Sequence, residues 1–329
     1  LKDQGKSIIL ITHKLKEVLQ ICDEITVFRG GRVVGTREAA KTTEDELAEM
    51  MVGRHLDQKS RTYTSPSRQQ TILEVKNLHL TANGVKKLSD VHFKIRAGEI
   101  LGIAGVQGNG QSELHRVLLA PSDYFKSNAC KGELLFCDQD IRNTSTSRLF
   151  ELGVASIAED RLRESVIADF SIEENYLLGL HRFKKFSNPW RIFRKTLRSA
   201  LSKAIQHFEI KAPDPSLPLR TLSGGNQQKV VVARELEKAP KLLLASQPTR
   251  GVDVGAIEFI HSQIKNLQAS GTAVLLISSE LSELLALSTR ILVFYKGRIV
   301  GEFNPETCTE KELGLAMGGA SRAAESSSS

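Results

Sequence analysis

Polar and apolar residues alternate at Leu73 and Val75, and again at Val91, Phe93 and Ile95. This period of two predicts antiparallel strands, here of edge type, with one buried face. The run from Ile100 to Ala104 is unbroken, as is Leu242-Leu243-Leu244-Ala245 after Pro240. Short continuous apolar runs of this kind predict strands of a parallel sheet buried on both faces. Val230 to Leu236 reads as a helix, and so does the spacing of Phe193, Leu197, Leu201, Ile205 and Phe208. Residues 121–220 are expected to be mainly helical up to a proline-rich break from Ala212 to Pro218. After Gly271 the pattern gives a buried strand, a helix and a hairpin turning at Lys296-Gly297. The order of elements makes this an α/β chain, with a mixed sheet flanked by helices, an antiparallel β subdomain and a helical subdomain.

A repeat sets the domain organisation. Residues 1–53 align without a gap onto 267–319, with 20 identities. The aligned text includes Ile25 to Gly35 (ITVFRGGRVVG) against Ile291 to Gly301 (ILVFYKGRIVG). Residues 1–56 are therefore expected to be the C-terminal end of one domain, and 71–319 a whole second copy. Between them 57–70 is polar, contains Ser-Pro and reads as a linker, and 320–329 reads as a disordered tail. The opening Leu1-Lys2-Asp3-Gln4 has neither an initiator Met nor a signal-peptide pattern, so a longer protein is expected to precede it.

Composition narrows the chemistry. The 329 residues are 40% hydrophobic and 25% charged, with no apolar stretch of eighteen residues, which is a globular balance. Four scattered cysteines without CxxC spacing and eight histidines without HExxH exclude a disulfide framework and a protein-only metal cage, and suit a reducing compartment. Net charge is +7, yet residues 181–208 hold eight Lys and Arg and no acid, leaving −1 elsewhere. The basic segment can be a solvated helix over a core, or a face toward a membrane or another subunit. No nucleic-acid motif accompanies it, so nucleic acid is not expected as a partner.

Three stretches carry candidate chemistry. Gly105-Val106-Gln107-Gly108-Asn109-Gly110-Gln111-Ser112 follows a strand, opens a helix and matches GxxxxGK[ST] apart from Gln111. Glycines let backbone N–H groups surround phosphates at a helix N-terminus, and the Ser112 hydroxyl can ligate Mg²⁺. A lysine at position 111 would have supplied charge to the β- and γ-phosphates, which an amide does not. In the second stretch Ser223-Gly224-Gly225 precedes a helix, with Gln227 just inside it. In the third, Ser246 and Gln247 end the apolar strand and lead through Pro248-Thr249-Arg250-Gly251-Val252 to Asp253. An amide cannot act as a general base at neutral pH.

The pair LSGGNQQK and ASQPTRGVD, with the glycine loop, resembles the signature, Walker B, D-loop and Walker A regions of ABC-type ATPases. The chain is identified as resembling the C-terminal half of a tandem ABC importer ATPase of the simple-sugar and nucleoside family, with 1–53 like the end of the N-terminal half. GNGQSEL, Glu159-Asp160-Arg161 and SQPTRGVDVGA favour the nucleoside, basic membrane protein type branch. The resemblance implies a P-loop ABC-type ATPase core that uses ATP and Mg²⁺, at the cytoplasmic face of the plasma (inner) membrane. It also implies integral membrane permease subunits and an extracytoplasmic solute-binding protein as partners. The permease is expected to dock on the helical region, around Glu159 to Asn175.

In that family the two halves pack head to tail, each ATP lying between the Walker motifs of one half and the signature of the other. By resemblance, nucleotide contacts fall on Gly105, Gly108, Asn109, Gly110, Gln111, Ser112, Glu159, Ser246 and Asp253, and, for the opposite site, on Ser223, Gly224, Gly225 and Gln227. Ser246 stands where Mg²⁺ is held by Asp, Gln247 at the catalytic-base position, and Ser279 at the histidine position that His13 fills in the first copy. Glu159 replaces the Q-loop glutamine, and no aromatic lies near Thr81-Ala82 to stack the adenine. The expectation is a degenerate second site whose signature completes a competent first one, in an ATPase coupled to nucleoside or simple-sugar uptake. This fragment alone is expected to turn over weakly or not at all. Two other readings share the motifs: a soluble ABC ATPase acting on ribosome or DNA, and a nucleotide-binding fragment without turnover. Ribosome-acting members usually keep both Walker lysines and catalytic glutamates, where this half has Gln111 and Gln247.

Overall fold

Strand β5 (Ile100–Ala104) has every residue buried in a computed structural model that describes residues 4–12, 15–29, 31–52 and 70–319. These form two compact units, one of residues up to 52 with 251–259, the other of 70–250 and 260–319. The expected boundary at 56, the linker 57–70 up to residue 69, the tail 320–329 and His13 lie outside the described residues.

The first unit runs α1 (Leu15–Ile21), β1 (Glu24–Arg29), β2 (Arg32–Glu38) and α2 (Glu44–Val52). Its small core gathers Val18, Ile25, Val27, Ala39 and Leu47. The hairpin carries a register shift between Val27 and Phe28.

The second unit opens with β3 (Thr71–Ala82), β4 (Val85–Arg96) and β5, then α3 (Gln111–Leu119), α4 (Pro121–Lys126), β6 (Cys130–Phe136), β7 (Gln139–Asp140), α5 (Thr146–Leu152) and β8 (Val154–Ile157). A π-helical turn at Arg161–Ser165 leads to α6 (Ile172–Leu177), the two-residue strands β9 (Ser187–Asn188) and β10 (Arg191–Ile192), α7 (Arg194–His207) and α8 (Gly224–Glu237). The chain ends β11 (Leu242–Ser246), α9 (Val254–Ala269), β12 (Ala273–Ile277), α10 (Leu281–Leu287), β13 (Arg290–Tyr295), β14 (Arg298–Phe303) and α11 (Glu310–Met317).

The main sheet has the order β14-β13-β5-β12-β11-β8, parallel except for the antiparallel edge strand β14. A second, antiparallel sheet has the order β4-β3-β6-β7. Alternate residues of the main sheet, Leu101, Ile103, Leu242, Leu244, Leu275 and Ile277, share one apolar cluster with Leu73, Val75, Val91, Phe93 and Ile95 of the other. Every residue of β5, β11 and β12 is buried, so both faces are covered, which is why their sequences are unbroken apolar runs. The fold is the α/β arrangement expected.

Two differences from the sequence reading have a physical cause. β3 is an interior strand rather than an edge, because β6 pairs on its far side from β4. The region 121–220 also supplies β6 and β7 to the antiparallel sheet and β8 to the main one. Their short apolar runs sit between helical segments and carry no distinctive period. Helical packing is concentrated after residue 161, where α6, α7 and α8 bury Tyr176, Leu197, Leu201, Val230 and Val231.

Candidate functional site

Strand β5 delivers the chain into the loop 105–110 at the C-terminal edge of the parallel sheet, and α3 starts immediately after it. Gly110, the residue before α3, has φ +107°, and a Cβ there would meet the Lys87 carbonyl at 3.0 Å. At Gly108, with φ +90°, a Cβ would meet no protein atom within 4 Å. The loop thus packs on the protein at one glycine and faces open space at the other, where N–H groups of a helix start favour an anion. Asn109 fastens the loop to the β13–β14 turn: its Oδ1 accepts from the Lys296 N–H at 2.9 Å and its carbonyl from the Gly297 N–H at 2.9 Å.

Gln111 is buried, with Nε2 donating back to the Val106 carbonyl at 3.3 Å. It closes the loop on itself instead of reaching outward. Ser112 Oγ donates to Glu159 Oε2 at 2.8 Å, so the loop serine and the residue after β8 meet. The other oxygen, Glu159 Oε1, accepts from Arg250 Nη1 at 2.9 Å and from Gln107 Nε2 at 3.4 Å. Arg250 and Gln107 were assigned no role from the sequence; the signals for them were their positions inside the TRGVD run and the glycine loop.

At the end of β11, Ser246 is buried and Gln247 adopts a left-handed φ of 49°. The Gln247 N–H donates to the Ile277 carbonyl at 2.7 Å, and its Oε1 accepts from Ser279 N at 3.3 Å and Ser279 Oγ at 3.2 Å. The two positions expected to be chemically inactive therefore hydrogen-bond to each other as a neutral pair. Neither can carry a proton away from water near pH 7.

Ser223 is the N-cap of α8, its Oγ accepting from the Asn226 N–H at 3.4 Å and Asn226 Nδ2 at 2.9 Å. Gly224 and Gly225 form the first turn. Gln227, expected at a nucleotide, is buried and donates Nε2 to the Leu222 carbonyl at 3.0 Å, so it braces the turn from inside. Asp253 is exposed and caps α9, with Oδ1 accepting from the Ala256 N–H at 2.9 Å. One further residue missed in the sequence is Gln228, whose Nε2 donates to the Pro248 carbonyl at 2.7 Å while Oε1 accepts from Arg161 at 3.3 Å. It joins the signature helix to the segments following Ser246 and Glu159.

The structure thus brings Gly105 to Ser112 together with Glu159, and Gln247 with Ser279. It sets Ser223 to Gly225 on a separate helix start, with no hydrogen bond to the loop among the described residues. An oxygen-only pair of hydroxyl and carboxylate beside an anion-favouring loop fits Mg²⁺, which takes one or two protein oxygens together with phosphates. No group of three or more His, Cys, Asp or Glu that could hold a metal alone exists among the described residues.

The ABC transporter family model matches residues 88–250. The chain is 38% identical over 317 residues to the nucleoside import ATP-binding protein NupA of Lactococcus lactis subsp. cremoris, and the match covers 96% of the chain and 62% of that protein. It is 40% identical over 320 residues to the guanosine import ATP-binding protein NupO of Bacillus subtilis, covering 97% and 62%. The chain therefore spans somewhat under two thirds of these relatives. Among solved structures, a nucleotide-free ATP-binding cassette from an ABC transporter superposes with TM-score 0.58 at 22% identity, covering 75% of this chain and 95% of that one. A dimeric ATP-binding cassette in a post-hydrolysis state with ADP and Pi gives 0.60 at 20% identity, covering 71% and 99%. The glycine loop, the α8 start and strands β5, β8 and β11 lie within residues 88–250, the stretch that carries the ABC transporter domain.

Proposed function

We propose that the second unit is a nucleotide-holding, poorly hydrolysing half of an ATP-driven importer for nucleosides or simple sugars. The observation that carries this is the hydrogen-bonded pair of Gln247 and Ser279, neutral groups where an ATPase needs a base and a histidine. The loop 105–110 and Ser112 bind the phosphates, and Ser112 with Glu159 would hold Mg²⁺, which would offset phosphate charge. Gln247 orients by accepting hydrogen bonds but takes no proton, so water near the γ-phosphate is left unactivated. Ser223, Gly224 and Gly225 form an anion-favouring helix start that serves the opposite site, the one to which His13 belongs. In the importer the chain works with membrane-spanning permease subunits, a solute-binding protein and the other ATPase half. The similarity to NupA and NupO favours a nucleoside as the solute.

The test is equilibrium binding of a fluorescent ATP analogue to the chain with Mg²⁺, with phosphate release followed in parallel. Micromolar binding without release is expected. Steady release from the chain alone would show that Gln111, Ser246, Gln247 and Ser279 do not disable the site, and absence of binding would remove the nucleotide-holding role.

A further inference from the structure

The basic segment is resolved by the structure into two parts. α7 turns Leu197, Ala200, Leu201 and Ala204 into the helical core and keeps Arg194, Lys195, Arg198 and Lys203 outside. Its apolar stripe is therefore used internally, which removes the reading of an amphipathic helix lying on a surface. The second part is the β9–β10 hairpin. At its turn Trp190 is 92% exposed. A tryptophan left so bare is unusual, since the ring ordinarily buries most of its large area.

The hairpin holds that ring out firmly. Asn188 Oδ1 accepts from the N–H groups of Trp190 at 3.0 Å and Arg191 at 2.8 Å, and Pro189 restricts the turn. Behind it Phe186 is buried, and its carbonyl accepts from the Phe193 N–H at 2.7 Å. The exposure of Trp190 is thus built into a braced turn.

The charges around it are uneven. Glu173 pairs with Arg194 and Arg198, and Glu237 with Lys185. Lys184, Arg191 and Lys195, close to Trp190 in sequence and all exposed, have no acidic partner among the described residues. Arg191 stacks its guanidinium over Phe193 at 5.6 Å from the ring centre, which keeps it beside the turn. A projecting indole with Arg191 next to it and the unpaired Lys184 and Lys195 on either side in the chain matches an anionic bilayer surface, where Trp sits at headgroup depth and each cation adds attraction. A protein interface would present a contiguous apolar patch with a polar rim, whereas the other large hydrophobics exposed beside Trp190, Phe170 at 43% and Ile192 at 41%, share their surroundings with the charged Glu173, Glu174, Arg191 and Arg194. Nucleic-acid binding would call for a groove or several stacking aromatics.

We propose that the β9–β10 hairpin is a lipid-contact site: Trp190 enters the headgroup layer of an anionic membrane, and Lys184, Arg191 and Lys195 bind its phosphates. This contact is independent of the nucleotide site.

Trp190 is the single tryptophan of the chain, so its emission reads the contact directly. The chain without nucleotide is titrated with vesicles of three parts phosphatidylcholine to one part phosphatidylglycerol. The emission should shift to the blue and return in half-molar salt, where screening is strong. Pure phosphatidylcholine should leave it unchanged. Lys184→Glu with Lys195→Glu should weaken binding at least tenfold, since each cation near such a surface is worth about fivefold and reversal doubles the effect. Trp190→Ala should lose co-sedimentation with the same vesicles while keeping its far-ultraviolet spectrum. An unmoved emission on phosphatidylglycerol vesicles, an equal shift on phosphatidylcholine, or full binding by the charge-reversed variant would overturn the proposal. A shift given only by the membrane-spanning partner in neutral detergent, or only by a DNA duplex, would assign the surface to protein or nucleic acid and overturn it as well.

Discussion

Gln111 occupies the place from which a lysine would reach a phosphate, yet its amide closes on the Val106 carbonyl in a nearly buried slot. Adding charge there alters binding and leaves proton transfer untouched. Gln111→Lys is expected to tighten nucleotide binding by about tenfold, the scale of one charge-assisted contact, with phosphate release still at background. A titration with the fluorescent analogue and a phosphate assay check both halves. His115 offers a different test at the same scale. Buried in α3 with Nε2 3.1 Å from Ser156 Oγ, it has its pKa pushed down from 6.5 to about 4 by burial, against a smaller opposing hydrogen bond that the ring donates to the Leu244 backbone. The unfolded chain gains its proton near pH 6.5 and the folded chain only near 4, so the unfolded state binds more protons in between. Stability is then full above pH 6.5 and falls by about 3 kcal/mol as the pH drops to 4. Denaturation across this range should show the slope in the wild type, with a flatter profile in His115→Gln.

Helix α8 does two jobs at once. Its first turn presents Ser223 to Gly225, and its last turn carries a buried ionic group linking three regions. Glu235 accepts from Arg234 at 2.9 Å, from Lys238 at 2.5 Å and from the Ser156 N–H at 3.2 Å, while Arg234 Nη1 donates to the carbonyls of Ser165 and Asn175. Burial by itself would raise the Glu235 pKa, but Lys238 and Arg234 outweigh it and hold the carboxyl ionised; burial pushes Lys238 down, partly offset by Glu235. Glu235→Ala would leave two buried cations uncompensated and is expected to destabilise the fold by about 3–5 kcal/mol, measured by chemical denaturation. A loss below about 1 kcal/mol would mean that water or repacking replaces the carboxylate. Because Gln228 on the same helix grips Pro248 and Arg161, a nucleotide-dependent movement of either loop would be felt at the signature end.

At the scale of the chain, the repeat reappears as matched architecture within each unit. α1, β1, β2 and α2 begin 266 residues before α10, β13, β14 and α11, and both hairpins shift register at the same place, after Val27 and after Val293. Burial nevertheless differs. Ile9 and Ile11 are exposed at 90% and 93%, whereas their counterparts Leu275 and Ile277 are buried in β12 between β5 and β11. Phe28 is 65% exposed and Phe294 fully buried. The described residues of the first unit contain no parallel strands to flank 8–12. Ile9→Lys with Ile11→Lys should therefore leave the stability of the first unit unchanged in chemical denaturation, and nucleotide binding by the second unit unchanged as well. A variant that unfolds the first unit instead would show these residues to be part of a core.

The sequence by itself determined the repeat, the α/β order, the glycine loop, the helix start at Ser223 and the missing carboxylates at 246 and 247. These rest on local geometry or on residue identity, which are readable without neighbours: a phosphate loop needs consecutive glycines before a helix, and an amide lacks a basic group wherever it sits. Tertiary structure alone decided that Glu159 meets Ser112 and Arg250, since the latter pair lies 91 residues apart in the chain. It also decided that Gln227 turns inward, that β3 is interior, and that the stripe of α7 is covered while Trp190 is bare. Such outcomes depend on which elements become neighbours across the sheet and the helical layer, and chain periodicity carries no record of that choice.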